Sequence, residues 1–589
     1  MRDFLIPIKK SFLYFCSAIF CMACGGEASK SLDPWPDSNW TPSKKEYGMV
    51  VEKRIPVTMD DGATLYVDVG YPADPNTGER ADGDFPVLLT QNPYMVPGTN
   101  SSAISPTKYF VSRGYIYAVA QIRGTGRTTG PGGEPVVFDM FNERMAQDGV
   151  ELVRWAAEEL DQSNGDIGLD GCSFLGITQL FTAAAIGPNS PIKAILPTCA
   201  GTGYELYFPG GIMGGTLPLS GLRPANLMMG MSNFSVNADH QSALTKKYEQ
   251  GEREAYNDEY WQTRDTINTG EKIVANGIPV LLYTGWQAAE MGDTYSLFTV
   301  MQNAYAGRAA HLGMNPGQQG TGRYQMIMGP WGHGMGIEDR IKLQWFDHWV
   351  KGQDTGLDEI NTPAHLWELE SERWVHGERI PLTDRYTTLY SNANGSLSTA
   401  KPEQATQPLQ WVQPDQPQGK LIYTSAPAQQ TWSIAGPISV SIWASSSNTN
   451  MALIASLYDV APDGTRKEIS HGSLIGSLRE NDPNKTWLDS DGKLILPSHP
   501  YFTDDYLVPG EIERFDIRIL PTMWSLAEGH SLQLEITSQT EKKRCQILNV
   551  FGPPMPCQPS EPQADSLKDG EYSVFSGGET PTLVNLPLL

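Results

Sequence analysis

At 589 residues the chain is longer than one hydrophobic core normally serves, so two or three domains are expected. Its composition, 40% hydrophobic and 19% charged, is that of a soluble globular protein, and 58 Gly with 43 Pro point to many turns and a large β component. A formal net charge of −24 argues against a nucleic-acid backbone as partner and against docking on anionic lipid, because both require a basic surface.

The chain opens with Arg2, Lys9 and Lys10, followed by the apolar run Ser11 to Cys24 and then Gly25-Gly26. The run is too short for a transmembrane helix and fits the core of a signal peptide over 1–24, so an exported protein is expected. Ala23-Cys24 fits a lipoprotein processing site, at which Cys24 would be acylated, although Cys21 stands where such sites usually carry Leu. A lipid anchor at Cys24 and ordinary cleavage both remain open, and with them a periplasmic, secreted or membrane-anchored location. No other stretch reads as a membrane span. Residues 25–48, polar and carrying Pro34, Pro36 and Pro42, read as a linker.

From 49 to 200, short apolar runs alternate with helical periodicity. Val87-Leu88-Leu89, Tyr117 to Ala120, Ile167 to Leu169 and Ala194 to Leu196 read as buried strands. Val150, Val153, Ala157 and Leu160 recur at helical spacing, and Ile177 to Ala185 reads as a second helix. This βαβ series predicts a parallel sheet covered by helices. The texture changes over 201–276, where Gly, Met and aromatic residues precede a polar helical stretch, as in a cap inserted over the sheet. The alternation resumes over 277–358 with strands at Pro279 to Tyr283 and Gln325 to Met328 and a helix at Arg340 to Trp349. Over 359–589 period-2 patterns take over, as in Ile438, Val440, Ile442 and Ala444, or Phe515, Ile517 and Ile519, which predicts an all-β sandwich or jelly roll.

Of the seven cysteines, Cys16, Cys21 and Cys24 lie in the leader. Cys545 and Cys557 flank a Pro-containing loop and are close enough in sequence to pair. Cys172 and Cys199 each follow a predicted strand and read as buried thiols. No spacing resembles a zinc site, so no metal is expected.

Gly171-Cys172-Ser173-Phe174-Leu175-Gly176 lies between a predicted strand and a predicted helix. That is the setting of a nucleophile elbow, where a sharp turn presents the serine above the sheet and the helix N-terminus favours developing negative charge. A serine needs a base. His333, in Gly329-Pro330-Trp331-Gly332-His333-Gly334, follows the last predicted parallel strand and is the best placed of nine histidines. His348 competes, but lies in the amphipathic Trp345-Phe346-Asp347-His348-Trp349, where packing is expected. Arg123-Gly124-Thr125-Gly126 does not make a dinucleotide fingerprint and reads as a tight loop.

These stretches, with Asp60-Asp61-Gly62, Asn92-Pro93-Tyr94, Tyr260-Trp261 to Asp265, Gly436-Pro437 and Pro521 to His530, resemble the CocE/NonD hydrolases over nearly the whole mature chain. That family takes in cocaine esterases, α-amino-acid ester hydrolases, acylases and X-Pro dipeptidyl-peptidases. The resemblance implies an α/β-hydrolase catalytic domain with an inserted cap, followed by a C-terminal jelly-roll domain of galactose-binding-like type. It implies Ser173 as nucleophile, His333 as base, and an oxyanion hole from the Tyr94 hydroxyl and the Phe174 backbone N–H. No metal or organic cofactor is called for.

The sequence departs from the family at the triad acid. Where the pattern has Gly-Trp-x-Asp, this chain has Gly285-Trp286-Gln287-Ala288. Glu290 is the first candidate to replace the missing Asp, since its longer side chain can reach from two residues on. Asp293 is second and Glu205 third. The expected reaction is hydrolysis of a small ester, an amide or a short peptide through an acyl-enzyme, with the cap setting specificity. A binding for an α-amine would need a carboxylate cluster, and no spacing shows one. Two other classes remain: a degenerate hydrolase fold that only binds, prompted by Ala288, and a surface carbohydrate-binding protein acting through its β domain.

Overall fold

The computed structural model describes residues 34–35, 40–96, 101–213, 234–403, 409–412, 420–538 and 559–589. Residues 38–589 form one compact unit and 1–37 another. The expected signal peptide with Cys24, and the pair Cys545 and Cys557, lie outside the described residues.

The larger unit is built on a ten-stranded sheet. Its strands are β1 (Gly48–Thr58), β2 (Thr64–Ala73), β3 (Phe85–Asn92), β4 (Ile116–Gln121), β5 (Ser163–Cys172), β6 (Ile192–Thr198), β7 (Val280–Gln287), β8 (Tyr324–Gly332), β9 (Ala364–Glu368) and β10 (Arg373–Gly377). They are ordered 1-2-4-3-5-6-7-8-9-10. From β4 across to β9 every pairing is parallel, while β1, β2 and β10 join antiparallel. Every residue of β3 and β4 is buried, as strands covered on both faces must be. The covering helices are α1 (Glu143–Glu158), α2 (Phe174–Ala185), α4 (Met291–Tyr305) and α5 (Asp339–Trp349), with α3 (Phe234–Glu249) in the segment 201–276. Helix α1 starts where the Asn142 side chain accepts the Met145 N–H, and it buries Val150, Leu152, Val153 and Ala156. This is the α/β-hydrolase fold expected from the sequence.

A second sheet is antiparallel in nearly all its pairings. Its longest pair joins β11 (Trp432–Ser446) to β14 (Glu513–Leu526), and β12 (Ala452–Val460) sits between β13 (Arg466–Ile475) and β15 (Ser531–Thr537). The period-2 residues face one another in register: Ile438 opposite Ile519, Val440 opposite Ile517, Ile442 opposite Phe515, all fully buried. This is the C-terminal jelly-roll domain. The sequence pattern places its start at 359, whereas β9 and β10 extend the first sheet. Their short alternating runs carry no sign of which sheet they join, and the parallel pairing of Met326–Met328 with Ala364–Leu366 decides it.

The segment 201–276 contributes no strand among its described residues. Tyr204, Tyr207, Phe208, Tyr248 and Trp261 share one hydrophobic core with β11 to β15, and Tyr204 stacks on Phe208 with ring centres 4.7 Å apart. These contacts tie the segment 201–276 to the core of the β domain.

The loop after β4 is tied down by charge as well as by turns. Arg123 makes a fork–fork pair with Asp148 of α1, both bonds 2.7 Å, and its third nitrogen lies 2.9 Å from Asp61. Arg123 and Asp148 are buried, so removing one partner strands a charge away from water. Asp148→Ala is expected to cost about 3 kcal/mol of unfolding free energy, read by urea denaturation. A change within about 0.5 kcal/mol would show that this pair does not hold the loop.

Candidate active site

Ser173 directly follows β5 and caps α2, at φ 64° and ψ −127°. A side chain in this left-handed region costs about 1–3 kcal/mol and persists only where the surroundings enforce it. Here the enforcement is visible. A Cβ on Gly171 would lie 2.4 Å from the Leu175 Cβ, and one on Gly176 would lie 2.6 Å from the Thr198 oxygen. The two glycines let the strand–turn–helix close tightly, and Ser173 N–H donates to Thr198 O at 2.9 Å. The turn lifts the Ser173 hydroxyl beyond the end of the sheet.

His333 stands immediately after β8. Its Nε2 is 2.9 Å from Ser173 Oγ and its Nδ1 is 3.0 Å from Glu290 Oε2. The other Glu290 oxygen accepts from Thr284 Oγ1 at 2.8 Å. Three strand ends, β5, β7 and β8, thus converge on one hydrogen-bonded relay. Glu290, on the loop two residues past Ala288, occupies the place of the acid. His348 is elsewhere: its contacts are the Thr355 N–H, Asp358 and the ring of Trp349.

The other two acid candidates do not touch His333. Glu205 pairs with Arg518 of β14 and accepts from the Tyr501 hydroxyl. Asp293 is buried, and its Oδ2 has no hydrogen-bond partner among the described residues. Burial, together with the neighbouring charge of Asp265, pushes the Asp293 carboxyl well above the usual carboxylate range. Asp265 is itself pushed up to about 6, chiefly by burial. A carboxyl that stays protonated cannot stabilise an imidazolium. Glu290 is equally buried, yet the His333 hydrogen bond and charge overcome the burial cost and hold it below the usual range. For His333 burial works against the charged ring, but the bond and charge of Glu290 win and raise it to about 9.

The Tyr94 hydroxyl reaches Ser173 Oγ at 3.4 Å. Its loop is held by Asn92, whose side chain accepts the Tyr94 N–H and donates to the Tyr94 carbonyl. Burial pushes the phenol up to about 12, against hydrogen bonds from Ser173 and the Phe174 backbone, so it remains a donor at neutral pH. Tyr94 O–H and Phe174 N–H therefore meet beside Ser173, where charge on an attacked carbonyl would develop.

Three features escaped the sequence reading. Thr284, which orients Glu290, is one strand residue among many with no motif to mark it. Glu205, Asp265 and Asp293 come together around Arg518 from three separate segments, although no sequence spacing shows a carboxylate cluster. A cavity of about 60 Å3 lies there, lined in part by Glu205, Asp293, Arg518, Tyr501 and Leu520. A larger polar groove of about 490 Å3, lined in part by Arg144, Arg253 and Tyr260, includes none of the relay residues. Finally, the Cys172 and Cys199 sulfurs lie 2.7 Å apart beneath the elbow. Cys199, Glu290 and His333 also offer atoms within 4.8 Å of one another that could ligate a metal. An ion there would have to break the Glu290–His333 bond.

Comparison with known proteins agrees with this architecture. Residues 61–335 match the X-Pro dipeptidyl-peptidase (S15) family, and 355–558 match the X-Pro dipeptidyl-peptidase C-terminal non-catalytic domain. The chain is 23% identical over 630 residues to a cocaine esterase of Rhodococcus sp. (strain MB1 Bresler), covering 92% of this chain and 98% of that protein. It is 22% identical over 602 residues to a putative serine esterase of Mycobacterium bovis, covering 82% and 89%. Among solved structures, a CocE/NonD family hydrolase from Staphylococcus aureus superposes with TM-score 0.70 at 19% identity, over 92% of this chain and 94% of that one. An α-amino-acid ester hydrolase does so with TM-score 0.66 at 16% identity, over 95% and 100%.

The electrostatics of the relay give a direct expectation. A His333 ring stabilised as the cation by Glu290 titrates near 9 in imidazole-labelled protein followed by NMR. In Glu290→Gln the titration falls to the ordinary histidine value of about 6.5 or below, because burial then acts alone. A wild-type midpoint near 6.5, unmoved by the substitution, would contradict the assignment.

Proposed function

The chain belongs to the CocE/NonD family of serine hydrolases, and on that premise we propose that it cleaves a small carboxylic ester or amide through an acyl-enzyme on Ser173. The observation that carries this reading is the unbroken chain from Glu290 through His333 to Ser173, with Tyr94 beside it. In the acylation step Ser173 Oγ attacks the substrate carbonyl while His333 Nε2 takes its proton. Glu290 stabilises the imidazolium so formed and fixes which ring nitrogen faces the serine. The oxyanion is met by Tyr94 O–H and Phe174 N–H, and His333 returns the proton to the leaving alcohol or amine. Water then enters by the reverse sequence and releases the acid.

Because the neutral ring is the base, ester turnover by the free enzyme rises with pH up to a limb near 9. The substrate class rests on the names of the relatives, two of which are esterases. The net charge of −24 supports a small-molecule substrate rather than a nucleic acid. The N-terminal apolar run supports action outside the cytoplasm, with Cys24 as lipid anchor or with simple cleavage. The mass of the mature N-terminus decides between the two.

The test is a fluorophosphonate probe beside turnover of a p-nitrophenyl ester. Wild type should take one adduct, on Ser173. Ser173→Ala should take none and lose about 10⁴-fold or more in kcat. Tyr94→Phe should lose about 10²- to 10³-fold in kcat with a smaller change in KM, as expected for a donor used mainly in the transition state. A folded wild type without an adduct, or one modified elsewhere, would sink the proposal.

A further inference from the structure

Acyl transfer by Ser173 has no use for a thiol, yet two free cysteines lie under it. Cys172 ends β5 and is bonded through the chain to Ser173; Cys199 follows β6, the parallel neighbour of β5. In register Cys172 lies opposite Thr198, so the two thiols project from adjacent strand ends. Their sulfurs are 2.7 Å apart, about 0.7 Å more than a disulfide bond of roughly 2.05 Å. Cys199 takes a positive φ of 48°, and its sulfur accepts the Gly334 N–H at 3.1 Å. One thiol thus adjoins the nucleophile and the other is bonded to the residue after His333.

The pair is also chemically unequal. Cys172 is partly exposed and Cys199 is buried. The hydrogen bond between the two thiols, helped by His333 against the cost of burial, pulls the Cys172 thiol down, while burial pushes the Cys199 thiol up. A nucleophilic thiolate beside a protonated partner is the arrangement of a reactive sulfur with its resolving thiol.

We propose that Cys172 and Cys199 form a redox-active pair that peroxide closes to a disulfide beneath the nucleophile elbow, lowering turnover at Ser173 until a dithiol reopens it. The effect on turnover rests on the reading of Ser173 as nucleophile; formation of the disulfide does not. In the first step the Cys172 thiolate attacks one peroxide oxygen, the O–O bond breaks, and Cys172 sulfenic acid and hydroxide result. Cys199 sulfur then attacks Cys172 sulfur; the S–S bond forms as the S–O bond breaks, and the leaving hydroxide takes the Cys199 proton as water. Together the two thiols give up two electrons and two protons, and peroxide is reduced to two waters.

Closing the bond draws the ends of β5 and β6 together and weakens the sulfur acceptor that holds Gly334. Both ends of the Ser173–His333 hydrogen bond are then displaced, and a shift of around 1 Å at reacting groups can cost as much as 10²-fold. The expected loss is about tenfold.

The experiment exposes the protein to hydrogen peroxide, removes it with catalase, blocks remaining thiols and maps disulfide-linked peptides. The rate of fluorophosphonate labelling is measured in parallel. The account expects a peptide joining Cys172 to Cys199 and an approximately tenfold slower labelling rate, both reversed by dithiothreitol, which does not restore oxidised methionine. Cys172→Ala and Cys199→Ala should each keep, after peroxide, the labelling rate they had before it; either variant suffices if the other fails to fold. Absence of the linked peptide, a linked peptide with an unchanged rate, or an equal loss in the variants would overturn the proposal. A reduced wild type that never labels would overturn the Ser173 reading instead, while the peptide map still decides the pairing.

Discussion

The hydrogen bond between His333 Nδ1 and Glu290 Oε2 is made by side chains from the ends of two parallel strands, and the rest of the site depends on it. It settles which imidazole nitrogen faces Ser173, and it holds the ring cationic against a burial that alone would keep it neutral. The same bond keeps Glu290 ionised in a place where a carboxylate would otherwise take up a proton. Each partner is made tolerable by the other. The parallel sheet supplies the geometry: β5, β7 and β8 end on the same side, so a turn after each delivers Ser173, Glu290 and His333 to one point.

Glu290 and Asp293 show how local partners outweigh burial. Both are buried and only three residues apart. Glu290 accepts from His333 and Thr284 and stays charged, whereas Asp293 has an oxygen without a partner among the described residues, faces Asp265 and Glu205, and is driven toward the neutral form. With Ala288 unable to reach the ring, a Glu two residues later, with one more methylene than Asp, meets it from farther along the loop.

Much of this was legible in the sequence. Buried apolar runs alternating with helical spacing predicted the parallel sheet, and β11 and β14 face each other through the residues whose period-2 pattern announced a β domain. The strand–turn–helix setting marked Ser173, and the loop after the last parallel strand predicted from the sequence marked His333. What stayed hidden depends on contacts between distant segments. Aromatics over 201–276 look the same whether they cover the parallel sheet or join the β-domain core, as Tyr204 and Trp261 do. Arg123 read as part of a tight loop because its partner Asp148 lies on another element. Cys172 and Cys199 read as buried thiols because a separation of 27 positions conceals that parallel strand pairing places them side by side. Two short strands just past 359 gave no sign of the sheet they join, and only their pairing next to β8 shows that they prolong the first one.

The most direct test of the account is kcat/KM for ester hydrolysis by Glu290→Gln, measured beside Asp293→Asn. The amide of Gln keeps the size of Glu but not its charge, so the account predicts a loss of about 10⁴-fold for Glu290→Gln and a far smaller one for Asp293→Asn. Near-wild-type turnover by Glu290→Gln, with the large loss falling on Asp293→Asn, would contradict it.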